Sequence, residues 1–282
     1  MKLEKIMVIG SGQMGSGIAQ VLAEAGYTVY LNDINASFVE KGIEKIQRWL
    51  DKAVKRERQT QEQADQIIKN LIVSTDYQDA KEVQLVIEAA TENREIKLQI
   101  FKQLAQITPA ETILATNTSS LSITEIAAVT NRPDKVIGMH FFNPVQLMKL
   151  VEINRGIQTS DETVAFIQEL SEQIRKVSID IKDSPGFAVN RILIPMINEA
   201  IFALGEGVAT VEEIDEAMKL GANHPMGPLA LADYIGLDTC LAIMLVLYNG
   251  FNDDKYRPAP LLKKYVEAGW LGKKTNKGFY SY

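Results

Sequence analysis

Cysteine is almost absent: Cys240 stands alone among 282 residues, which excludes an internal disulfide framework and suits a reducing compartment. It sits in the apolar run Cys240–Leu247 and reads as a small buried hydrophobe. Long apolar runs are missing too. The longest candidate, Leu229–Tyr248, is interrupted by Asp233 and Asp238, whereas a membrane span needs roughly 18 uninterrupted apolar residues. Met1–Gly10 offers only a short apolar stretch leading into a glycine-rich turn, unlike an export signal, so no membrane partner and a cytoplasmic address are expected. A basic excess is also lacking: 30 Lys+Arg against 36 Asp+Glu leave a net charge of −6, the wrong sign for a protein that displaces counterions from nucleic acid phosphates. There are two histidines, no internal repeat and no low-complexity segment, and no metal site is expected. What is present is ordinary globular composition, 46% hydrophobic and 23% charged, in a chain long enough for a large core and a smaller second domain.

Short β-rich runs alternate with longer helical patterns from the start. Ile6–Ile9 precedes Gly12–Ala25, Thr28–Leu31 precedes a long polar helical stretch, and Val83–Ala89 precedes Glu92–Ile107. The alternation continues through Thr112–Thr116, Val136–His140, Leu150–Ile153, a helix near Thr163–Arg175 and a strand at Val177–Ile181. It predicts an α/β, Rossmann-like, doubly wound and mostly parallel sheet. At Asp183-Ser184-Pro185-Gly186 four turn formers meet, and beyond them apolar residues recur at helical spacing, as in Val189, Ile192, Leu193, Met196 and Ile197. A boundary is placed there, giving a nucleotide-binding domain over 1–184 and a smaller all-α domain over 185–282.

Between the first strand and first helix lies Gly10-Ser11-Gly12-Gln13-Met14-Gly15. In that context a G-x-G-x-x-G supplies a tight turn, a backbone able to approach a pyrophosphate, and close helix–strand packing. Asp33 ends the second strand, 18 residues past Gly15. A carboxylate there accepts hydrogen bonds from the adenosine ribose hydroxyls and repels a 2′-phosphate, so NAD is favoured over NADP. A helix cap is the competing role for Asp33.

His140 ends a strand in Gly138-Met139-His140-Phe141-Phe142-Asn143-Pro144, and Glu152 follows twelve residues later inside the apolar strand Leu150–Ile153. A carboxylate in an apolar strand is costly unless paired. A strand–loop–strand turn through Asn143-Pro144 could return Glu152 to His140 and orient the imidazole as a general base; a satisfied core histidine is the alternative. The loop Asn117-Thr118-Ser119-Ser120 offers polar groups at the carboxyl side of the sheet, although taken alone it reads as a cap for a helix over Ile123–Ala128. His224, before a proline in an interhelical loop, reads as surface or structural.

Taken together, Val8–Ala19, Asn117-Thr118-Ser119-Ser120-Leu121, His140-Phe141-Phe142-Asn143-Pro144 with Glu152, Asp183-Ser184-Pro185-Gly186-Phe187 with Asn190-Arg191, and Gly227-Pro228 with Asp233-Tyr234-Ile235-Gly236-Leu237-Asp238 resemble the L-3-hydroxyacyl-CoA dehydrogenases, most of all their bacterial 3-hydroxybutyryl-CoA branch. The resemblance covers essentially the whole chain. It implies NAD-dependent, reversible oxidation of an (S)-3-hydroxyacyl-CoA, with His140 as base, Glu152 as its orienting partner, and Ser119 and Asn190 holding the substrate's 3-oxygen and thioester region. It also implies that Glu92 and Lys97 contact the NAD side and that Asn117 lies near the nicotinamide. Two departures stand in the helical domain: Asn276 where the family often has the first glycine of Gly-Lys-Gly-Phe-Tyr, and Asn223-His224 where a glycine and an aromatic often stand. A dehydrogenase of a small free hydroxyacid, which would need an arginine at the carboxylate, and a non-catalytic crystallin-like relative are the rival readings.

Two further expectations concern partners. The apolar segment Leu237–Tyr248 is long for a domain of this size and predicts a homodimer through the helical domain, as the resemblance also implies; packing inside the monomer's own core is the alternative. Nearly forty residues separate the second strand from Leu71–Val73, with Ile43, Ile46, Leu50 and Val54 on one helical face and Lys41, Lys45, Arg48, Lys52 and Lys55 on another. From Lys41 to Arg58 seven basic residues meet three acids; the resemblance implies that a helical insertion at this place contacts the CoA, and Lys52 and Lys55 are chosen from the stripe as partners of its phosphates. A solvated amphipathic face is the alternative.

Overall fold

The computed structural model describes residues 2–282 and divides them into two compact units, one ending at Ser184 and the other Pro185–Tyr282. The first unit is built on eight strands: β1 (Lys5–Ile9), β2 (Thr28–Asn32), β3 (Leu71–Ser74), β4 (Leu85–Glu88), β5 (Ile113–Thr116), β6 (Val136–Phe141), β7 (Leu150–Arg155) and β8 (Val177–Lys182). Their order is β3-β2-β1-β4-β5-β6-β7-β8. Every adjacent pair is parallel except β6 with β7. β4, β5 and β6 are buried along their whole length, the pattern of parallel strands covered on both faces. The outer strand β8 is exposed or half-exposed throughout, as an edge must be.

The chain order reverses between β1 and β4, and that switch point opens a crevice at the carboxyl ends of the strands. Helix α1 (Gln13–Glu24) starts there and buries Ile18, Val21 and Leu22 on the sheet. The expected insertion is a helical hairpin. Its first arm, α2 (Ala36–Lys55), is capped by Asn35, whose side chain accepts from the Phe38 amide, and buries Val39, Gly42, Ile46 and Leu50. Its second arm, α3 (Gln61–Lys69), opens with a capping box in which Thr60 and Gln63 satisfy each other's amides. Helices α4 (Arg94–Ile107), α5 (Ile123–Ala128) and α6 (Asp161–Gln173) complete the unit.

The second unit is all helical: α7 (Val189–Gly205), α8 (Val211–Gly221), α9 (Pro228–Ile235), α10 (Leu237–Phe251) and α11 (Pro260–Glu267). Leu237, Cys240, Ile243, Met244 and Leu247 of α10 are buried in their own unit against Ile194, Ile197, Ile201 and Leu262, whereas Leu245 of the same segment is exposed. Cys240 is a buried hydrophobe, and that burial pushes its thiol up to about 12. No single helix among the described residues is long and apolar enough to cross a membrane.

Two aspartates fix the tail of this unit. Asp233, fully buried, accepts from the Phe279 and Tyr280 amides, and Asp215 accepts from the Leu229 and Ala230 amides and from the Tyr280 hydroxyl. The two asparagine departures now have a physical account. Asn223 and Asn276 both hold φ of +56°, the left-handed region where asparagine is the best substitute for glycine. Gly278 has no such freedom, since a Cβ there would stand 1.9 Å from Asp233 Oδ1.

Candidate active site

The glycine fingerprint occupies the switch point. Gly10 turns at φ +95°, where a Cβ would lie 2.6 Å from Ala89 O, and a Cβ on Gly15 would meet Gly10 O at 1.8 Å. Gly12 differs from both, because a Cβ there would meet nothing within 4 Å. Two glycines thus permit packing within the protein, and the third leaves open space before the N-terminus of α1, the room a pyrophosphate requires. The residues present therefore fit a dinucleotide. Gln13 is exposed and Met14 half-buried at the start of the helix.

Asp33 follows β2 and is held by the fingerprint itself. Its Oδ2 accepts from the Ser11 amide at 2.8 Å and the Ser11 hydroxyl at 2.7 Å. It does not cap α2, since Asn35 does. The carboxylate is oriented by the glycine turn and half-exposed beside it.

At the other end of the crevice β6 and β7 pair antiparallel, and their register sets His140 directly opposite Glu152, so the pleat carries both side chains to one face. His140 Nδ1 lies 2.8 Å from Glu152 Oε2, with both side chains buried. A carboxylate only accepts, so Nδ1 carries the proton and the lone pair of the neutral ring is on Nε2. Phe142 stands over the imidazole at 4.6 Å between ring centroids.

The loop after β5 is tied to Glu92. Thr118 Oγ1 donates to Glu92 Oε2 at 2.6 Å, and the Ser119 amide and hydroxyl donate to Glu92 Oε1 at 2.8 and 3.2 Å. The reading of this loop as the cap of α5 is corrected: Ser122, the residue directly before the helix, is the cap and accepts from the Glu125 amide, since an N-cap side chain must stand within reach of the N2 or N3 amide. Asn117 Oδ1 accepts from the Phe141 amide at 2.9 Å, joining this loop to the strand of His140. Asn190 lies in the second unit, half-buried in the first turn of α7. His224 is half-buried in the loop after α8.

Lys97 sits elsewhere than its expected place suggests. It is 1% exposed, and its ammonium is paired with Glu88 Oε2 and 3.4 Å from Thr116 Oγ1. Glu88 Oε1 accepts from the Ala90 amide at 2.9 Å, in the turn that packs on Gly10. Lys97 therefore reaches the crevice through Glu88. Sequence reasoning passed over Glu88, although the signal that selected Glu152, an acid in an apolar strand, was present in Leu85-Val86-Ile87-Glu88.

The basic stripe of α2 divides in two. Lys52 lines a cavity of about 410 Å³ together with Trp49, Arg56 and Arg58; Lys55 is not on its wall. Trp49, Arg56 and Arg58 were outside the expected set, and a lone tryptophan at helical spacing from basic residues was the available signal.

Comparison with known proteins agrees with this geometry. The model of the 3-hydroxyacyl-CoA dehydrogenase NAD binding domain matches residues 5–184, and that of the 3-hydroxyacyl-CoA dehydrogenase C-terminal domain matches residues 186–282. The chain is similar to a probable 3-hydroxybutyryl-CoA dehydrogenase of Bacillus subtilis, 54% identical over 282 residues that cover 100% of this chain and 98% of the relative. It is equally similar to a 3-hydroxybutyryl-CoA dehydrogenase of Clostridioides difficile, 54% identical with 99% of each chain covered. Among solved structures, (S)-3-hydroxybutyryl-CoA dehydrogenase from Ralstonia eutropha superposes with a TM-score of 0.97 at 53% identity, covering 100% of this chain and 99% of the other. With an NAD-binding crevice at the switch point and both family models matched in order along its length, the chain belongs to the 3-hydroxyacyl-CoA dehydrogenase family of oxidoreductases.

Proposed function

We propose that this protein oxidises (S)-3-hydroxybutyryl-CoA to acetoacetyl-CoA reversibly, with NAD as cofactor and His140–Glu152 as the acid–base pair. The observation that carries the reading is the buried 2.8 Å contact between His140 Nδ1 and Glu152 Oε2, at the carboxyl side of the sheet that also carries the dinucleotide crevice. Gly10, Gly12, Gln13, Met14 and Gly15 would hold the pyrophosphate, Asp33 the adenosine ribose, and Glu92 and Asn117 the nicotinamide side. NAD, when bound, supplies the hydride acceptor for C3 of the substrate.

In the oxidative direction Nε2 of neutral His140 takes the proton of the 3-hydroxyl, and Glu152 stabilises the imidazolium that results. In the reductive direction the same imidazolium returns that proton to the 3-oxygen. Glu92 fixes the loop through the Ser119 amide and holds the Ser119 hydroxyl beside it; the one hydroxyl proton of Ser119 turns from Glu92 to the 3-oxygen when substrate arrives, and Asn190 is assigned to the thioester region. The CoA nucleotide is seated in the cavity of Trp49, Lys52, Arg56 and Arg58, the ring offering an aromatic face to adenine and the cations meeting phosphate. Lys52→Glu should therefore raise KM for acetoacetyl-CoA in a salt-dependent way and spare a truncated thioester, whereas Lys55→Glu should have the smaller effect.

The helical unit is assigned to homodimerisation. Since the inner face of α10 is already buried, the exposed Ile192, Leu220 and Leu245 are the residues that would carry the interface, and a monomer by light scattering would refute it. The expected address is cytoplasmic. The test of the main reading is turnover of acetoacetyl-CoA with NADH, run beside free acetoacetate. Rapid oxidation of NADH with the thioester alone supports it; preference for the free acid supports the hydroxyacid reading, and no turnover with either supports a non-catalytic relative.

A further inference from the structure

The turn of residues 142–149 joins the strand of His140 to that of Glu152, and it is held from two sides. On one side stand Lys176 and Val177, at the start of β8. The Lys176 ammonium donates to Val145 O and, at 2.7 Å, to Met148 O, while the Val177 amide donates to Lys149 O at 2.7 Å. Two consecutive residues thereby satisfy three carbonyls of one turn. Lys176 is 7% exposed, and burial lowers its pKa with Glu24 opposing the shift. A cation removed from water to bind backbone carbonyls is costly, so the seat of this ammonium is narrowly defined.

On the other side stands α1, the helix that begins at the glycine fingerprint. Gln13 Nε2 donates to Asn143 Oδ1 at 2.9 Å, and Gln146 Nε2 donates to Gln20 Oε1 at 2.8 Å. Between them a Cβ on Gly17 would approach Val145 Cβ to 2.9 Å. Positions 13, 17 and 20 form one stripe of a helix, and they face positions 143, 145 and 146 of the turn. The turn thus lies between the cofactor helix and a single buried lysine.

We propose that Lys176 is a positioning residue for the dehydrogenase reaction. By pressing the 142–149 turn onto α1, it fixes His140 relative to the glycine loop, and so fixes the distance over which proton and hydride transfer must coincide. This inference rests on the assignment of His140 as the acid–base group. It makes no contact with substrate or cofactor a requirement for Lys176 itself.

The experiment compares Lys176→Met, Lys176→Arg and Gly17→Ala in the full chain, with kcat and KM for acetoacetyl-CoA, the Kd for NADH from its fluorescence, and Tm. Lys176→Met is expected to lower kcat about tenfold or more, the scale of a displaced reacting group, with the NADH Kd within about twofold of the parent. Lys176→Arg is expected to restore most of the loss, because a guanidinium can reach two carbonyls at once. Gly17→Ala favours the helix and so retains the fold while pushing Val145 outward; it is expected to lower kcat in the same sense, and it carries the test should Lys176→Met not fold. The inference is overturned if kcat stays at the parent value in both Lys176→Met and Gly17→Ala, or if kcat falls only in step with Tm and arginine restores neither. Parent-level activity of His140→Gln would instead overturn the acid–base assignment, which keeps the two failures apart.

Discussion

Two acids are sunk in apolar strands of the same sheet, and they have been put to different uses. Glu88, at the end of β4, is enclosed with Lys97, both at 1% exposure or less; Glu152, in β7, is enclosed with His140. Each obeys the rule that a buried carboxylate needs a partner. The partner decides the rest. A lysine ammonium has only N–H donors and offers no lone pair, so the Glu88–Lys97 pair is fixed scaffolding that shapes the turn over Gly10. An imidazole carries one donor and one acceptor nitrogen, so the Glu152–His140 pair has the groups that acid–base chemistry needs. Proximity to the crevice does not separate the two pairs; the chemistry of the cation does.

The contrast can be broken at either end. The largest expected change in stability is for Lys97→Met, which strands a buried carboxylate and should cost about 3–5 kcal/mol, measured as a fall in the denaturation midpoint. Adding Glu88→Leu should recover part of that loss, because an apolar pair replaces a broken ionic one. If Lys97→Met instead left stability intact and abolished turnover alone, the two pairs would not differ in the way described. Glu152→Gln should behave in the opposite manner: it keeps a hydrogen-bonding shape but deletes the charge that stabilises the imidazolium, so kcat should fall roughly tenfold to a hundredfold, with a smaller change in stability than for Lys97→Met. The smallest effect sharpens the comparison: Thr116 Oγ1 donates to Glu88 Oε2 at 3.0 Å and accepts from the Thr118 amide at 3.2 Å, and Thr116→Val should cost about 2 kcal/mol with a smaller loss in kcat than Glu152→Gln.

Much of this was legible in the chain. Strand and helix periodicity laid out the mostly parallel sheet, the hairpin between β2 and β3 and the change of architecture after Ser184, because buried parallel strands and amphipathic helices leave different spacing. The opposition of His140 and Glu152 was one of two readings that the turn between their strands left open, and the register decides for it. Other features depended on contacts that spacing does not encode. The tie of Thr118 and Ser119 to Glu92, 26 and 27 residues earlier, is one of them. The packing of α10 depended on α7, α9 and α11 converging on it. Lys176 was silent because its partners are backbone carbonyls, which have no residue identity to read. Lys52 and Lys55 looked equivalent on the stripe, and only the wall of the cavity distinguished them.

The central claim is that the His140–Glu152 pair performs the acid–base step while the rest of the crevice binds NAD independently of it. His140→Gln tests both halves in one protein, by measuring turnover of acetoacetyl-CoA with NADH alongside the NADH dissociation constant. The account predicts a loss in kcat of about a hundredfold or more with NADH bound as tightly as by the parent; turnover near the parent rate would contradict it.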